Sequence, residues 1–249
     1  MLIFPQLMAY PITKRAIQRT PVNVMADGRT DLFEDPDAAS LAWELRWKGM
    51  TLAEWNSVQA LFIAVSGRWQ TFTFLDPVGN LLAQSENFTL SPWTNGALIQ
   101  LTGGIADPFG TTRASRVVNA GAAVQSVAQT LAVPGTYQFC LSVWARTSSG
   151  SNVTLAVGNS AKAFALTAEW TRISFTASGS TFAAQLNPGA SVDLFGMQVE
   201  AQIGPSDYKM TGSRGGVYSR ARFAYDQLTV TAQGTDMYDA AIRIVNTEN

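Results

Sequence analysis

The stretch TYQFCLSVWA, residues 136–145, carries a large apolar side chain at every second position. The apolar positions are Tyr137, Phe139, Leu141 and Val143. Successive side chains of an extended chain point to opposite faces, so this pattern predicts a β-strand with one buried face. The alternation returns in NVTLAVG (152–158) and TRISFT (171–176), between short segments rich in Gly, Ser, Asn and Pro. Several short strands of this kind are typical of a β-sandwich or jelly roll.

A change of phase interrupts the alternation in SVDLFGMQVEA, residues 191–201. Val192 and Leu194 occupy one phase, whereas the apolar residues from Phe195 onward occupy the other. One extra residue in a strand produces such a slip, and Gly196 lies beside it. The sequence therefore predicts a β-bulge at this glycine.

The residues before this region predict a strand, a helix and a second strand. LAWELRWKG (41–49) alternates apolar and charged side chains, as a half-buried strand does. A helix is expected at about residues 51–66, where Thr51 and Glu54 fit a capping box and Gly67 fits the C-terminal cap. RWQTFTFLDP (68–77) predicts the next strand.

The C-terminal stretch RARFAYDQLTVTAQGTDMYDAAIRIVN (220–246) predicts strands with a turn at AQGTD. Two strands alone do not form a stable domain, so we expect them to pair with the N-terminal strands. The middle of the chain is weakly charged, which sets it apart from both flanks. We predict a mainly β protein: a discontinuous β-rich domain with one helix, residues 1–83 and 209–249, and an inserted β-sandwich or jelly-roll domain, residues 84–208.

Composition excludes several classes of protein. The 249 residues are 47% hydrophobic and 14% charged, whereas a typical soluble domain is about 25% charged, so intrinsic disorder is excluded. No apolar run approaches the roughly 20 residues of a membrane-spanning helix. The opening MLIFPQLMAYPITKR does not match a secretory signal peptide. A net charge of -1 predicts no general affinity for nucleic acid or anionic membranes.

The chain contains no His, which removes the commonest general base and the commonest metal ligand. A Ser-His-Asp triad and an imidazole zinc site are therefore excluded. Cys140 stands at an alternate position of an apolar strand, which predicts a buried and unreactive thiol. We expect no catalytic residues and no cofactor.

Several motifs near the N-terminus resemble those of tailed-phage minor tail proteins. They are Arg19-Thr20 with Asn23, Asp27-Gly28-Arg29, Trp43 with Leu45, Gly49 to Trp55, and Phe72 to Pro77. The pattern is similar to that of the distal tail protein group, whose members form a ring where the tail tube meets the tail tip. SRARFAYDQLTVTAQGTDMYDAAIRI (219–244) is similar to the closing strands of such a domain.

The middle of the chain resembles a second family, the carbohydrate-binding-module-like jelly rolls of phage tail and fibre proteins. Its landmarks, in order, are NLLAQSENF with a following Trp, DPFGTTRA, TYQFCLSVWAR, EWTRISF, and FGMQVEAQIG with Tyr208. The sequence departs from the pattern at Pro108-Phe109-Gly110, where Asp-Gly is usual, and at Ala201-Gln202, where Ala-Gly is usual. Both departures affect turns, so they concern loop geometry rather than the fold.

Aromatic side chains of the middle region are candidates for stacking on sugars. They are Trp144, Trp170, Trp93 and Tyr208, with Phe88 and Phe109 also considered. Trp144 follows the core residue Val143 and is therefore expected on the opposite face of its strand. Trp93 and Phe88 are expected to cover one end of the core. The alternative for all these rings is ordinary core packing.

Glu86 and Asp193 are the acidic pair to consider, because jelly rolls of this kind often hold a structural calcium through oxygen ligands. Glycoside hydrolysis would instead need two carboxylates roughly 5–9 Å apart in a cleft. We expect each of the two side chains to cap a turn, and we predict no metal site.

Charged side chains of the two flanks are candidates for contacts between subunits. They are Arg19, Arg29, Asp35, Arg220 and Arg222, with Lys14, Arg15, Arg214, Asp31, Glu34 and Asp37 nearby in the sequence. Such charges set the register of an interface more than its affinity, and the alternative is a solvated surface. Residues 21–40 are predicted to form a long polar loop that reaches a neighbouring subunit.

These features lead to a hypothesis of a structural phage tail-tip or baseplate protein. It would form a homo-oligomeric ring, with a hexamer favoured over a trimer, that joins the tail tube to the tail-tip hub proteins. The jelly roll would face outward, towards other baseplate proteins or host-surface glycans. The alternative is a sugar-binding adhesin whose flanks anchor it to the tail. We expect the protein in the virion after assembly in the host cytoplasm, without nucleic-acid specificity or membrane insertion.

Overall fold

The computed structural model describes residues 1–7 and 9–246, with the backbone alone at residues 36–39. It divides into two compact units, which we call the terminal unit (Met1–Phe74 with Tyr218–Asn249) and the jelly-roll unit (Leu75–Val217). The described part of the chain is mainly β with one helix, so the predicted fold class is confirmed. None of its helices is long and apolar enough to cross a membrane.

The secondary-structure elements follow one another in three groups. The first group is β1 (Ile12–Arg19), β2 (Val22–Val24), β3 (Thr30–Leu32), β4 (Asp35–Met50), α1 (Leu52–Ala64) and β5 (Phe72–Leu75). The second is β6 (Thr94–Asn95), β7 (Ile99–Ile105), β8 (Ala114–Asn119), β9 (Gln125–Thr130), β10 (Gln138–Arg146), β11 (Asn152–Val157), β12 (Ser160–Ala165), β13 (Thr171–Ser178), β14 (Thr181–Leu186) and β15 (Ser191–Glu200). The third is β16 (Val217–Phe223), β17 (Val230–Gly234) and β18 (Met237–Asn246).

The terminal unit is built on one six-stranded sheet in the order β1-β4-β18-β16-β5, with β17 paired to β18. Strands from both ends of the chain therefore share hydrogen bonds; Leu45 of β4, for example, lies opposite Ile242 of β18. The alternating apolar residues of β4 face the core, where Trp43 is fully buried. Helix α1 contributes Val58 and Leu61 to the same core.

The predicted capping box at the start of α1 is confirmed. Thr51 Oγ1 accepts a hydrogen bond from the Glu54 amide at 3.2 Å, and Glu54 Oε2 accepts one from the Thr51 amide at 2.8 Å. Both bonds satisfy amides that have no partner inside the helix. The helix ends at Ala64, two residues earlier than expected, because the chain turns left-handed already at Ser66 (φ 54°) and continues so at Gly67 (φ 67°).

Residues 21–40 form regular structure, which corrects the expectation of a long loop. β2 and β3 make an antiparallel hairpin, with Val22 opposite Leu32, and β4 begins at Asp35. The turn of the hairpin is closed by Asp27, whose carboxylate accepts from the Arg29 amide at 3.1 Å, while Gly28 adopts a φ of 83°. The side chain of Asp37, one of the charged candidates, lies outside the described residues.

The jelly-roll unit consists of two five-stranded antiparallel sheets. The front sheet has the order β13-β10-β15-β8-β7, and the back sheet has the order β12-β11-β14-β9-β6. The alternating apolar residues of β10 point between the sheets, where Phe139 meets Phe182 of β14 edge to face at 5.4 Å. Both rings are fully buried, as the alternation in residues 136–145 predicted for this strand.

The bulge predicted at Gly196 is confirmed. The pairing of β10 with β15 shifts register between Ser142 and Trp144, and Gly196 has a φ of 63°. A Cβ at residue 196 would lie 2.8 Å from the ring of Tyr208. Both the backbone angle and the close ring therefore require glycine here.

The chain passes from one unit to the other at residues 74/75 and 217/218, whereas the sequence predicted boundaries at 83/84 and 208/209. The segments between these positions are bonded to the jelly roll: the Leu81 amide donates to Val199 O at 2.8 Å, and Asn80 Nδ2 donates to Met197 O at 3.0 Å. They are also bonded to each other, since the Gly216 amide donates to Asn80 O at 2.8 Å. These bonds explain why the segments belong to the jelly-roll unit.

Candidate functional site

The outer face of the front sheet carries a row of charged side chains across three strands. Strand register places Arg146 of β10 opposite Asp193 of β15, and Asp193 opposite Arg116 of β8. Arg116 Nε lies 2.8 Å from Asp193 Oδ1, and Arg146 Nε lies 3.0 Å from Asp193 Oδ2. The hydrogen bond with Asp193 raises the pKa of Arg116 above its usual value. One buried carboxylate thus holds two guanidinium groups.

Two tripeptides of the same pattern lie side by side on this face: Trp144-Ala145-Arg146 in β10 and Trp170-Thr171-Arg172 at the start of β13. The strands are antiparallel, so Trp144 lies opposite Arg172, and Arg146 lies beside Trp170. The guanidinium carbon of Arg146 is 4.7 Å from the centre of the Trp170 ring. Antiparallel pairing therefore sets each guanidinium next to an indole.

Several donors of this group lack an acceptor. Nε1 of Trp144, Nε1 of Trp170 and Nε of Arg172 are buried and make no hydrogen bond. The other nitrogens of Arg172 donate to neutral oxygens, Ser206 O at 2.5 Å and Ser142 Oγ at 3.1 Å. A buried donor without a partner is unusual and destabilising, so these groups mark the face as a place where an acceptor is missing.

An exposed aromatic ring stands at the rim. Phe109 is 56% exposed, and its ring meets Trp144 at 5.9 Å and Phe195 at 5.8 Å, both edge to face. It sits in the loop between β7 and β8, which approaches the charged row where Arg146 Nη2 donates to Ala106 O at 3.4 Å. The loop therefore adds an open apolar surface beside the tryptophans.

Asp107 organises that loop. Its buried carboxylate accepts hydrogen bonds from the hydroxyl of Thr111 and from the amides of Phe109, Thr111 and Arg113. Burial favours the neutral acid, but these hydrogen bonds outweigh it and lower the pKa of Asp107 to about 2. The backbone of the loop that carries Phe109 is thus held by one carboxylate.

We call this group the front-face site. It comprises Phe109, Arg116, Trp144, Arg146, Trp170, Arg172 and Asp193. Two of the four predicted stacking residues, Trp144 and Trp170, lie in it, and both are half-buried. Phe109, which was also considered as a stacking residue, lies at the rim, whereas the arginines were not predicted as part of the site. The repeated Trp-x-Arg pattern is the signal that could have found the arginines, because residues two apart share one face of a strand.

The other two predicted stacking residues are not part of the front-face site, although the Tyr208 ring meets Phe195 at 5.4 Å. Trp93 is 8% exposed, donates its indole N–H to Gln84 O at 2.8 Å and meets Phe88 edge to face. The hydroxyl of Tyr208 bonds to Ser85 Oγ at 2.8 Å and donates to Glu86 Oε1 at 3.0 Å. Burial raises the pKa of Tyr208 well above its usual value. The expectation that Trp93 covers an end of the core agrees with its burial.

The segment after β15 folds back and is fastened by Glu200. The buried Glu200 carboxylate accepts from the Ser206 amide at 2.9 Å and pairs with Lys209 Nζ at 2.9 Å. Burial alone would raise the pKa of Glu200, but the hydrogen bonds from Ser206 and Lys209 lower it. This segment supplies the Ser206 carbonyl that holds Arg172 in place.

The two candidate carboxylates of the sequence do not meet. Glu86 pairs with Arg113 at 2.9 Å, whereas Asp193 belongs to the charged row. Among residues 1–7 and 9–246, no group of three His, Cys, Asp or Glu side chains is placed to hold a metal ion. Cys140 is buried, as predicted, and this burial raises the pKa of its thiol.

The charged candidates of the terminal unit have partners within the chain. Arg19 pairs with Asp35 at 3.5 Å, and Arg29 Nε lies 2.7 Å from Asp27. Arg222 donates to the carbonyl of Trp69, and Arg220 is exposed. Their assignment to a subunit interface stays a prediction.

Comparison with known proteins finds likeness to solved structures alone. No protein-family model matches the chain, and no curated protein sequence matches it significantly. It is similar to the CBM22-1 and GH10 modules of Clostridium thermocellum endo-1,4-beta-D-xylanase 10B, complexed with xylohexaose, at 16% identity and a TM-score of 0.38, over 55% of this chain and 30% of that one. It is also similar to the CBM22-1 xylan-binding domain of Paenibacillus barcinonensis Xyn10C, at 17% identity and a TM-score of 0.37, over 50% and 96% of the two chains.

A phage protein shows a comparable likeness. The enzymatically active domain of tailspike protein 4 from bacteriophage CBA120 is 12% identical, with a TM-score of 0.38, over 52% of this chain and 22% of that one. The chain thus spans less than a third of the matched xylanase and tailspike structures. Similar structures therefore include carbohydrate-binding jelly-roll domains and a phage tailspike domain.

Proposed function

We propose that the jelly-roll unit binds carbohydrate at the front-face site. The observation that carries the proposal is the antiparallel pairing of the two Trp-x-Arg tripeptides beside the exposed ring of Phe109. Aromatic rings stack on the apolar face of a pyranose, and guanidinium groups donate to its hydroxyls. Both kinds of group converge on one sheet face.

The unpartnered donors support the same function. The indole N–H groups of Trp144 and Trp170 are buried without an acceptor, and a sugar hydroxyl would accept from them only after the side chains that cover them shift. The rim is rigid, because the hydrogen bonds of Asp107 hold the loop that presents Phe109. A fixed platform loses less conformational freedom on binding than a mobile one.

We propose a binding role without catalysis. Asp193 is the carboxylate of the front-face site, and its oxygens already accept from two arginines. Glycoside hydrolysis needs two carboxylates that flank the scissile bond. The arrangement around Asp193 favours holding a sugar over cleaving one.

Affinity electrophoresis of the full-length protein in gels containing polysaccharides tests the proposal. We expect Trp170→Ala and Phe109→Ala each to weaken binding of the retained polysaccharide about tenfold, since each removes a stacking surface. Phe164→Ala is the matched control: Phe164 pairs with Lys162 at 5.1 Å in the back sheet, and its loss should leave binding unchanged. Failure of the folded protein to bind any polysaccharide of a broad panel would contradict the proposal.

A second function is favoured by the terminal unit, which we propose to assemble into a ring of identical copies in a phage tail. The hairpin of β2 and β3 exposes Val22, Val24, Leu32 and Phe33 at 52% or more each, and β1 lies at the edge of its sheet. A two-stranded ribbon is marginally stable alone, and exposed apolar side chains favour a partner surface. In this proposal a neighbouring copy covers the hairpin, and six or three copies close a ring at the tail tip, between tube and hub proteins.

Mass photometry with negative-stain images of the full-length protein tests the ring. We expect a closed oligomer of six or three copies that Leu32→Asp combined with Phe33→Asp converts to monomers. Ile63→Asp is a control, because Ile63 of α1 is 69% exposed but lies outside the hairpin. A wild-type protein that stays monomeric at every concentration tested would contradict assembly by this chain alone.

A further inference from the structure

We infer that the front-face site takes an anionic glycan, whose carboxylate or phosphate groups pair with its guanidiniums. This inference rests on the carbohydrate-binding function proposed above and names the class of ligand. Three observations carry it: the charge balance of the site, the surroundings of Arg172, and the contrast with the back sheet.

The front-face site holds three guanidiniums and one carboxylate. Asp193 pairs with both Arg116 and Arg146, so one of their two positive charges stays uncompensated. Arg172 adds another, because it forms no ion pair within the part of the chain that the structure describes. In the adjoining rim loop Arg113 pairs with both Glu86 and Asp107, so the site and its rim together keep one net positive charge, in a chain whose net charge is -1.

Arg172 is the arginine of the site whose hydrogen-bond partners are all neutral. Its contacts are the Ser206 carbonyl and the Ser142 hydroxyl, both neutral, and its Nε is buried without an acceptor. A planar guanidinium matches the two oxygens of a carboxylate or phosphate, and a charge-assisted bond of this kind is about twice as strong as a neutral one. An anion next to this guanidinium would supply the charge that its neutral partners lack.

The neighbours of Arg172 determine what the anion is attached to. Its cross-strand partner is Trp144, whose ring meets the exposed Phe109 at 5.9 Å. A small inorganic anion has no surface to place on these rings. A sugar acid or sugar phosphate presents an apolar ring face and an anionic group together, so it matches the ring and the guanidinium at once.

The back sheet shows that this chemistry belongs to one side of the unit. Its outer face carries neutral side chains, mostly small: Ala128, Thr154, Ala156, Ala161, Ala163, Ala183 and Gln185. Lys162 and Phe164 lie on the edge strand of that sheet, opposite Leu155 and Val153, and form a cation–aromatic pair in which Phe164 is half-buried, without the other groups of the site. They provide a matched control for a single lost charge.

The experiment is isothermal titration calorimetry of the full-length protein against four polymers. Polygalacturonate presents carboxylates, polyribitol phosphate presents phosphodiesters, a neutral β-glucan presents hydroxyls alone, and polyglutamate is a polyanion without sugar. The variants are Arg172→Gln, the charge-conserving Arg172→Lys, and the control Lys162→Gln, each checked for folding by circular dichroism. Titrations at low and high salt measure the electrostatic part of binding.

We expect at least one anionic glycan to bind about tenfold or more tightly than the β-glucan, with affinity that falls as salt rises. Arg172→Gln should lose about tenfold, Arg172→Lys should lose less, and Lys162→Gln should bind as the wild type does. The anionic polymer that binds distinguishes a carboxylate ligand from a phosphate ligand.

Three results would overturn the inference. Equal, salt-independent binding of the β-glucan would reject an anionic ligand but leave the carbohydrate-binding function in place. Binding of polyglutamate as tightly as of the glycans would show a site for any polyanion. Binding of none of the four polymers by the folded protein would reject the inference, whereas the broad polysaccharide panel in affinity gels decides the carbohydrate-binding function.

Discussion

The two outer faces of the jelly-roll unit share one architecture and differ in chemistry. Each belongs to a five-stranded antiparallel sheet, and each backs onto the same buried core, where Phe139 of the front sheet meets Phe182 of the back sheet. Yet the front face presents tryptophans, arginines and Asp193, whereas the back face presents alanine, threonine and glutamine.

The difference shows that the inward-facing and the outward-facing residues of one strand meet separate requirements. The residues of β10 that point between the sheets must be apolar, because their burial stabilises the sandwich. The residues that point away from the core are not constrained by it, so Trp144 and Arg146 can occupy these positions without changing the fold. Alternate residues of the same strand therefore determine the fold and the chemistry of the outer face.

The largest expected effect comes from the core that both faces share. Phe182→Ala removes a fully buried ring and should lower the free energy of unfolding by about 3–5 kcal/mol, through lost burial and the cavity left behind. Urea unfolding followed by circular dichroism measures it. Phe109→Ala, at the exposed rim, is the control and should change stability by less than about 1 kcal/mol. A similar loss for both variants would show that the rim is part of the core.

The second-largest expected effect is a loss of stability in acid, through protonation of Asp107 in the loop beside the front face. Its pKa is about 2 in the folded protein against an ordinary value of 3.8, so the folded state favours the charged carboxylate. This stabilisation, about 2 kcal/mol, is fully present above pH 3.8 and is lost as the pH falls through about 2.

Urea unfolding of the wild type and of Asp107→Asn at several pH values tests this. The difference in stability between the two proteins should be largest near neutral pH and should shrink towards pH 2. A difference that stays constant over that range would mean that the hydrogen bonds around Asp107 do not depend on its charge.

Asp193→Asn should have a smaller effect on stability. The side chain keeps its shape but loses the charge that binds Arg116 and Arg146, which should cost about 1–2 kcal/mol because both arginines are partly solvated. Gln185→Ala on the back face is the control, expected within about 0.5 kcal/mol of the wild type. The Asn variant should also bind an anionic glycan more tightly, since it leaves the guanidiniums unopposed; weaker binding would show that Asp193 positions them.

The smallest effect is expected at the edge of the back sheet. Lys162 lies 5.1 Å from the ring of Phe164 and is exposed, so Lys162→Gln should change the free energy of unfolding by less than about 0.5 kcal/mol. Arg146→Gln, which removes a cation from the Trp170 ring and from Asp193, should cost more. Equal losses of unfolding free energy for Lys162→Gln and Arg146→Gln would show that the front-face ion pairs contribute no more to stability than the pair at the edge of the back sheet.

Local patterns in the sequence predicted much of the fold. The alternation in residues 136–145 indicated which side chains of β10 are buried, and Thr51 with Glu54 marked the start of α1, because both signals act within one element. The slip beside Gly196 was likewise visible, since a bulge changes the phase of its own strand.

The candidate site was only half predictable, because it depends on which strands are neighbours. Alternation places Trp144 and Arg146 on one face of β10, but it does not reveal that β13 lies beside β10 or that Arg172 lies opposite Trp144. The loop around Asp107 is closed by bonds that run to later residues of the loop, and the burial of Trp93 and Tyr208 depends on distant segments. Each of these contacts requires the folded chain.

The chain enters and leaves the jelly-roll unit through adjacent segments, since the Asp76 amide donates to the Gly216 carbonyl at 2.8 Å. Neighbouring ends mean that a short turn could close the gap if the whole unit were removed, with little change in loop-closure entropy. The coding sequence for residues 75–217 can therefore behave as a cassette in recombination. Exchange of that cassette would replace the front face of the jelly-roll unit while the sheet built from the two chain ends stays the same.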